Sequence, residues 1–276
     1  MAYPTIDAPY GLKPINLIGG QVFAGSTREL PITYGYATNI FYGDFVTLVR
    51  GNLERISVST GVVGTLMGVF LGCSYTNPIT KQKQFSQYWP ASTLAGDAVA
   101  IVCDDPDTVF RVAMVSGTTV IASGARAMIG QNLAAVNNTG SVNTGNSANA
   151  VLADTSIALT AALPIRVVGL VPDTAIQLGT ATYVSISSAT ITVSGLNCTP
   201  MVGCDVGSLA ANGQYIASGS YVASVTNSTT IVLNAAPLVA FSATAGLSTL
   251  VFTQYPEILA KINFGLHKYY AGTAVA

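Results

Sequence analysis

The chain has 276 residues, 50% of them hydrophobic and only 8% charged, with 11 Lys and Arg against 12 Asp and Glu and a formal net charge of −1. That apolar content is enough for a substantial core, and basic residues scattered singly leave no stripe for a polyanion, so disorder and nucleic-acid binding are both excluded as readings. No apolar run reaches the roughly 18 to 20 residues of a spanning helix, so no membrane partner is expected. The N-terminus, MAYPTIDAPYGLKP, has neither a basic n-region nor an apolar h-region, which predicts no secretory signal and synthesis in the cytoplasm.

Met1 to Ser26 carries Pro4, Pro9, Pro14 and the Gly19-Gly20 pair, which bar helix and predict an extended arm. Its apolar side chains, Tyr3, Ile6, Tyr10, Leu12, Ile15, Leu17 and Ile18, need a surface to lie on, and a neighbouring molecule can supply it. From Arg28 to Val115, short segments rich in β-branched and aromatic residues recur about every ten residues. They are Glu29–Thr33, Phe45–Val49, Leu53–Val58, Met67–Tyr75, Gln84–Tyr88, Ala98–Cys103 and Val109–Val115. This rhythm predicts a β-sandwich or barrel-like core. Gly51-Asn52 is expected to form a hairpin turn, and Asp104-Asp105-Pro106-Asp107 a connector between two strands.

Gly124–Val136 is the stretch with helical spacing, through Met128, Ile129, Leu133 and Val136, and predicts one short helix. Asn137–Asn149, rich in Gly, Asn and Ser, is expected to be an exposed, mobile loop. Leu163–Val171 and Tyr255–Tyr270 resume β-structure, the latter with Ile258, Ala260, Ile262 and Phe264 on one face. Between them, residues 174–256 contain a single charged residue, Asp205. Strands are expected there at Tyr183–Ser194, Tyr221–Thr226, Thr229–Asn234 and Leu247–Thr253, with a turn at Asn227-Ser228. The chain therefore reads as all-β: an extended arm over 1–27, a β domain of 28–173 plus 254–276, and a small β domain of 174–253 inserted between two of its strands.

Catalytic chemistry finds little support. His267 is the one histidine, too few for a zinc site with dispersed cysteines, and it reads as a surface or interface residue. No serine has Gly at both −2 and +2, so the nucleophile elbow is missing. Asp104, Asp105 and Asp107 fit a turn better than a calcium loop, because Asp and Pro fix turn backbone directly. Gly61, Gly64 and Gly68 lack the strand-to-helix context and the Lys-Ser or Lys-Thr of a phosphate loop. No catalytic residue, metal or cofactor is assigned. Cys73, Cys103, Cys198 and Cys204 read as small buried hydrophobes, with Cys198 and Cys204 able to approach if they flank a tight turn. Tyr34, Tyr36, Tyr42, Tyr88 and Trp89 suit a core or a protein interface better than a glycan site.

The ordered segments APYGLKPINLIGGQVFAGSTRELPI (8–32), YATNIFYGDFV (36–46), GVFLGCSYTNP (68–78), FSQYWPAS (85–92), DDPDTVFRV (104–112), LPIRVVGLV (163–171) and KINFGLHKYY (261–270) resemble a family of tailed-phage virion proteins, notably of cyanophages. The resemblance implies a capsid decoration or cement protein on the outer surface of the virion. It would bind the major capsid protein, bridge neighbouring shell subunits, and meet copies of itself as a trimer or, second, a dimer. It brings no catalytic residues. The capsid-contact candidates are Tyr3, Pro4, Ile6, Pro9, Tyr10, Leu12, Lys13, Pro14 and Ile15 of the arm, with Arg28 and Glu29; Lys81 and Lys83 could also set register on the shell. The segment 174–253 departs from shorter relatives, and leaves a rival reading as a head- or tail-fibre adhesin binding a host glycan.

Overall fold

The segments rich in Val, Ile, Phe and Tyr form strands, and no α-helix occurs among the described residues, so the chain is all-β. The structure is a computed structural model that describes residues 8–56, 66–115, 126–152, 163–171, 174, 179–187, 189–194, 206–209, 216, 220–227, 229–237, 249–252 and 255–270. The first strands are β1 (Lys13–Leu17), β2 (Arg28–Pro31), β3 (Phe45–Val49), β4 (Asn52–Arg55), β5 (Gly68–Thr76), β6 (Lys83–Ser86), β7 (Val99–Cys103) and β8 (Thr108–Val115). There follow β9 (Asn132–Leu133), β10 (Ala135–Val136), β11 (Ala150–Leu152) and β12 (Ile165–Leu170). The charge-poor stretch supplies β13 (Gly179–Ser187), β14 (Thr190–Ser194), β15 (Val206–Leu209), β16 (Val222–Asn227), β17 (Thr230–Leu233) and β18 (Thr249–Phe252), and β19 (Glu257–Ile262) closes the set.

By its internal contacts the chain divides into two units. The larger comprises Pro9–Ala113, Arg126–Gly169 and Ile258–Ala276; the smaller comprises Met1–Ala8, Met114–Ala125 and Leu170–Glu257. Two sheets build the sandwich- or barrel-like core of the larger unit. One runs β10-β11-β8-β19-β12-β9, with β1 also paired to β8; the other runs β2-β7-β5-β3-β4, with β6 paired to β5. β8 is buried along almost its whole length, with Arg111 alone half-buried, which explains why its sequence is a near-continuous apolar run. Ile32, Val46, Leu53, Phe70, Tyr75, Trp89, Ala100 and Val102 pack together inside the second sheet. Residues 171–256 lie between β12 and β19, which are neighbours in the first sheet.

The smaller unit holds one antiparallel sheet, β15-β18-β13-β14-β17-β16. Alternation is clean where both strands have one buried face: Ile191 and Val193 on β14, Ile231 and Leu233 on β17. These pack with Val206, Ile216, Val222 and Leu250. Asn227 Oδ1 accepts from the Thr229 amide at 2.9 Å and hydroxyl at 3.0 Å, fixing the β16–β17 turn.

Several local expectations are corrected. The helix at Gly124–Val136 does not form: Arg126–Met128 is a single 3-10 turn, and β9 and β10 follow. Gly130, at φ +86°, ends any helical run. β9 then pairs with β12, and β10 with β11, so tertiary pairing overrides a marginal periodicity. The β3–β4 turn is Arg50-Gly51, one residue earlier than Gly51-Asn52: Val49 pairs with Asn52, and Arg50 and Gly51 have φ of 50° and 81°, as a two-residue hairpin loop of the primed type requires. Tyr183–Ser194 is a hairpin, β13 turning into β14, rather than one strand. β19 stops at Ile262; Asn263 and the 3-10 turn Phe264–Leu266 follow, and Phe264 is exposed. Cys198 and Cys204 lie outside the described residues.

Candidate functional site

Of the contact candidates, Tyr3, Pro4 and Ile6 lie outside the described residues. Pro9 and Leu12 are buried by their own chain. Lys13, Pro14 and Ile15 belong to β1, whose register against β8 runs from Lys13↔Arg111 to Leu17↔Thr108 with an irregularity at Ile15. The segment is thus a structural strand of the larger unit from Lys13 onward, because the edge of β8 offers it a ladder partner. The Lys13 ammonium stands 4.3 Å from the centre of the Tyr10 ring. Arg28 and Glu29 are exposed on β2. Arg28 Nε donates to Asp104 Oδ2 at 2.7 Å, and its guanidinium lies 5.0 Å from the centre of the Tyr269 ring. Ile32 donates to the Ala98 carbonyl, so by alternation Glu29 and Pro31 face away from β7. Pro31 therefore sits where a missing N–H costs the β2–β7 ladder nothing.

A buried polar constellation centres on Asp44, which is fully buried. Asp44 Oδ2 accepts from the Phe41 amide at 2.8 Å and lies 2.9 Å from Arg55 Nε. Asp44 Oδ1 accepts from the Ser147 hydroxyl at 2.6 Å and from Asn149 Nδ2 at 3.0 Å. Arg55 NH2 continues to the Asn138 carbonyl at 2.9 Å, and Asn149 Oδ1 accepts from the Asn138 amide at 3.1 Å. The N-terminal segment joins the same knot: Gly11 donates to the Asn149 carbonyl at 3.0 Å, and Leu12 to the Gly43 carbonyl at 3.1 Å. The two backbones meet so closely that a Cβ on Gly43 would stand 2.8 Å from the Leu12 nitrogen. Burial raises the Asp44 carboxyl pKa above its ordinary value, an effect the Arg55 charge and the donors from Phe41 and Ser147 oppose. This knot corrects one part of the exposed loop expected over Asn137–Asn149. Thr139 and residues 141–144 are exposed, but Ser147 and Asn149 are buried, because their side chains satisfy a buried carboxylate rather than solvent.

A second cluster surrounds Asp104, at the head of the β7–β8 connector. Its Oδ2 also accepts from Tyr269 Oη and from Arg28 NH2 in short contacts. The connector behaves as a turn: Asp105 Oδ1 accepts from the Asp107 amide at 2.9 Å, and Lys261 Nζ reaches Asp107 at 3.2 Å. His267 is fully buried beside this cluster, not at the surface. It is held there because the Leu66 amide donates to Leu266 and the Lys268 amide donates back to Leu66. His267 Nδ1 accepts from the Tyr269 amide at 3.3 Å, which leaves the proton of the neutral ring on Nε2. Burial lowers the imidazole pKa, and the nearby Asp104 and Asp105 charges only partly offset this.

Chemically, these arrangements neutralise charge and fix loops. Burial pushes the Cys73 thiol up to about 12 and the Cys103 thiol up to about 11, so neither carries thiolate character at neutral pH. Among the described residues no group of three or more His, Cys, Asp and Glu could hold a metal ion. Sequence reasoning missed Asp44, Arg55, Ser147 and Asn149, because Ser147 and Asn149 lie 103 and 105 positions from Asp44 and the Asp44–Arg55 pair follows no motif spacing. It noted Lys81 and Lys83 but overlooked Phe85, an aromatic among polar residues on a lysine-flanked edge strand. Compared with protein-family models and with curated proteins, the chain matches none.

Proposed function

We propose that this chain is a virion structural protein that binds the outside of a phage capsid and stabilises the shell by bridging neighbouring major capsid subunits. One observation carries the reading. The segments that resemble phage decoration proteins, scattered over 8–46, 68–112, 163–171 and 261–270, fall almost wholly within one compact unit. They supply β1, β2, the start of β3, β5, part of β6, part of β8, β12 and the end of β19, so the resemblance follows a folded body rather than isolated words. A passive binding body also suits the buried knots around Asp44 and Asp104, which spend their polar groups on rigidity. Copies meet at the symmetry axes of the shell, as trimers first and dimers second.

A second reading rests on the smaller unit. Thr190 and Thr192 of β14 and Thr230 and Val232 of β17 stand opposite one another, half-buried, on the face turned away from its core. This neutral, hydroxyl-bearing face suits a glycan, as a head- or tail-fibre adhesin would require. Copy number separates the two. Quantitative mass spectrometry of purified, DNA-filled particles should find this chain approaching the major capsid protein in abundance; a few copies per particle would replace the cement reading with the adhesin.

A further inference from the structure

The segment 264–270 closes on the larger unit through one backbone position and one ring. The Leu66 amide donates to the Leu266 carbonyl at 2.9 Å, and the Lys268 amide donates back to the Leu66 carbonyl at 2.7 Å, a parallel bridge that sets His267 opposite Leu66. Both residues are fully buried. Side chains add two ties: Lys268 Nζ reaches the Leu48 carbonyl at 3.3 Å, and Tyr269 Oη donates to Asp104. The segment starts from a fixed point, since the Asn263 amide donates to the Pro164 carbonyl at 2.8 Å and its Nδ2 to the Leu163 carbonyl at 2.9 Å. A change that breaks the bridge can therefore free 264–270 while β19 stays in its sheet.

His267 is the part of this closure whose charge changes near neutral pH. Its Nδ1 accepts from the Tyr269 amide at 3.3 Å, and its Nε2 is buried without a well-formed hydrogen bond, the Asp104 backbone offering only a poor one. A neutral ring fits that setting, and a charged one does not. The added proton must go on Nδ1, where it would face the Tyr269 N–H, donor against donor, and the imidazolium would sit in a site closed to water. The groups around the ring give it no ready partner. Asp104, on the β7–β8 connector, already holds Arg28 of β2 and Tyr269 Oη. Asp105 of the same connector accepts from the Asp107 amide, and Lys261 of β19 is itself cationic and paired with Asp107. The Tyr269 and Tyr270 rings, centred 5.0 and 5.9 Å away, are neutral, and so are Leu66 and Met67 on the segment opposite.

We propose that 264–270 is a pH-operated clasp, closed over Leu66 while His267 is neutral and released from it when Nδ1 is protonated. Release returns the imidazolium to water, uncovers Leu66, and takes the Tyr269 hydroxyl off Asp104, which keeps Arg28. Burial favours the neutral ring in the closed state. Release therefore sets in below the ordinary histidine value of about 6.5, and each pH unit multiplies the open-to-closed ratio by at most about ten. The device is internal to the larger unit and works whatever the chain binds.

The test is amide hydrogen exchange of the full chain between about pH 7.5 and pH 5, corrected for the intrinsic pH dependence of exchange. Protection of the Leu66 and Lys268 amides should fall about three- to tenfold per pH unit below about pH 6. The Trp89 amide, bonded to the Ile40 carbonyl at 2.8 Å in the same unit, should keep its protection. His267→Gln, which cannot take the proton, should abolish the fall, while Tyr269→Phe should lower protection of both amides at every pH and leave the fall in place. His267 is the only histidine, so its ring can be titrated by NMR in the wild-type protein, which decides the matter even where His267→Gln does not fold. Constant protection of Leu66 and Lys268, ring protonation without loss of that protection, or a fall that persists in His267→Gln overturns the clasp. Loss of Trp89 protection in step with theirs would make the event global unfolding and overturn it equally.

Discussion

Replacing Asp44 with Ala tests whether the buried knot holds the larger unit together. The carboxylate is fully buried and serves four partners: the Phe41 amide, the Ser147 hydroxyl, Asn149 Nδ2 and the Arg55 guanidinium. Truncation strands the Arg55 charge, whose side chain is only 18% exposed, and orphans three donors. Breaking a buried pair by deleting one partner costs about 3–5 kcal/mol. Each orphaned donor costs about 1–3 kcal/mol, but these terms overlap because all four partners share one carboxylate. A loss of about 4–5 kcal/mol is expected, a large fraction of the roughly 5–15 kcal/mol that holds a domain folded. Urea unfolding followed by Trp89 fluorescence is the assay. Trp89 is the only tryptophan, is fully buried, and meets Tyr75 edge-on at 5.4 Å in the larger unit, so it reports that unit alone. Adding Arg55→Met to Asp44→Ala should recover part of the loss, because the stranded charge goes with it. A cost below about 1 kcal/mol for Asp44→Ala, or a further loss on adding Arg55→Met, would refute the reasoning, since neither fits a buried carboxylate compensated by Arg55.

Other outcomes follow from the same geometry. Gly43→Ala should destabilise by about 2 kcal/mol or more in the same urea assay, because φ is +92° and the new Cβ would stand 2.8 Å from the Leu12 nitrogen; an unchanged midpoint would show that the two segments do not meet so closely. The lowered pKa of His267 means that the unfolded chain binds its proton first. That stabilising contribution is full above about pH 6.5 and declines as pH falls below it, at no more than about 1.4 kcal/mol per pH unit. His267→Gln should remove this slope between pH 6.5 and 5.5, and a slope that persists in the variant would place its source elsewhere. Cys73 and Cys103, with thiols raised by burial, should resist a thiol reagent at pH 8 in the folded protein and react on unfolding; fast native labelling of either would contradict its burial.

The strands were legible where local chemistry sets them. Phe45–Val49 emerges with its expected bounds, and β5, β7 and β8 lie within one residue of theirs, because β-branched and aromatic runs bounded by Gly, Asp and Pro have few alternatives. Long-range partnership was not legible. Gly124–Val136 carries helical spacing but also Gly130, and its outcome depends on the neighbouring strands β11 and β12. Asn137–Asn149 has the composition of a solvated loop, and only the position of Asp44 turns Ser147 and Asn149 inward. His267, polar and near the chain's end, gave no sign that Leu66 would hold it inside. At the N-terminus, proline content predicted an extended arm, and only the position of β8 makes Lys13–Leu17 a strand of the larger unit.

The Asp44 knot also sets an order of events in folding. Its carboxylate meets a hydroxyl 103 positions away and an amide 105 positions away. During synthesis this charge must stay hydrated until residue 149 has left the ribosome, so the sheet containing β3 and β4 cannot mature around it alone. Contacts closed over such separations make folding slow. If the knot also forms after the rate-limiting barrier, losing it will appear chiefly as faster unfolding, so the lifetime of the folded chain would depend on this one buried charge.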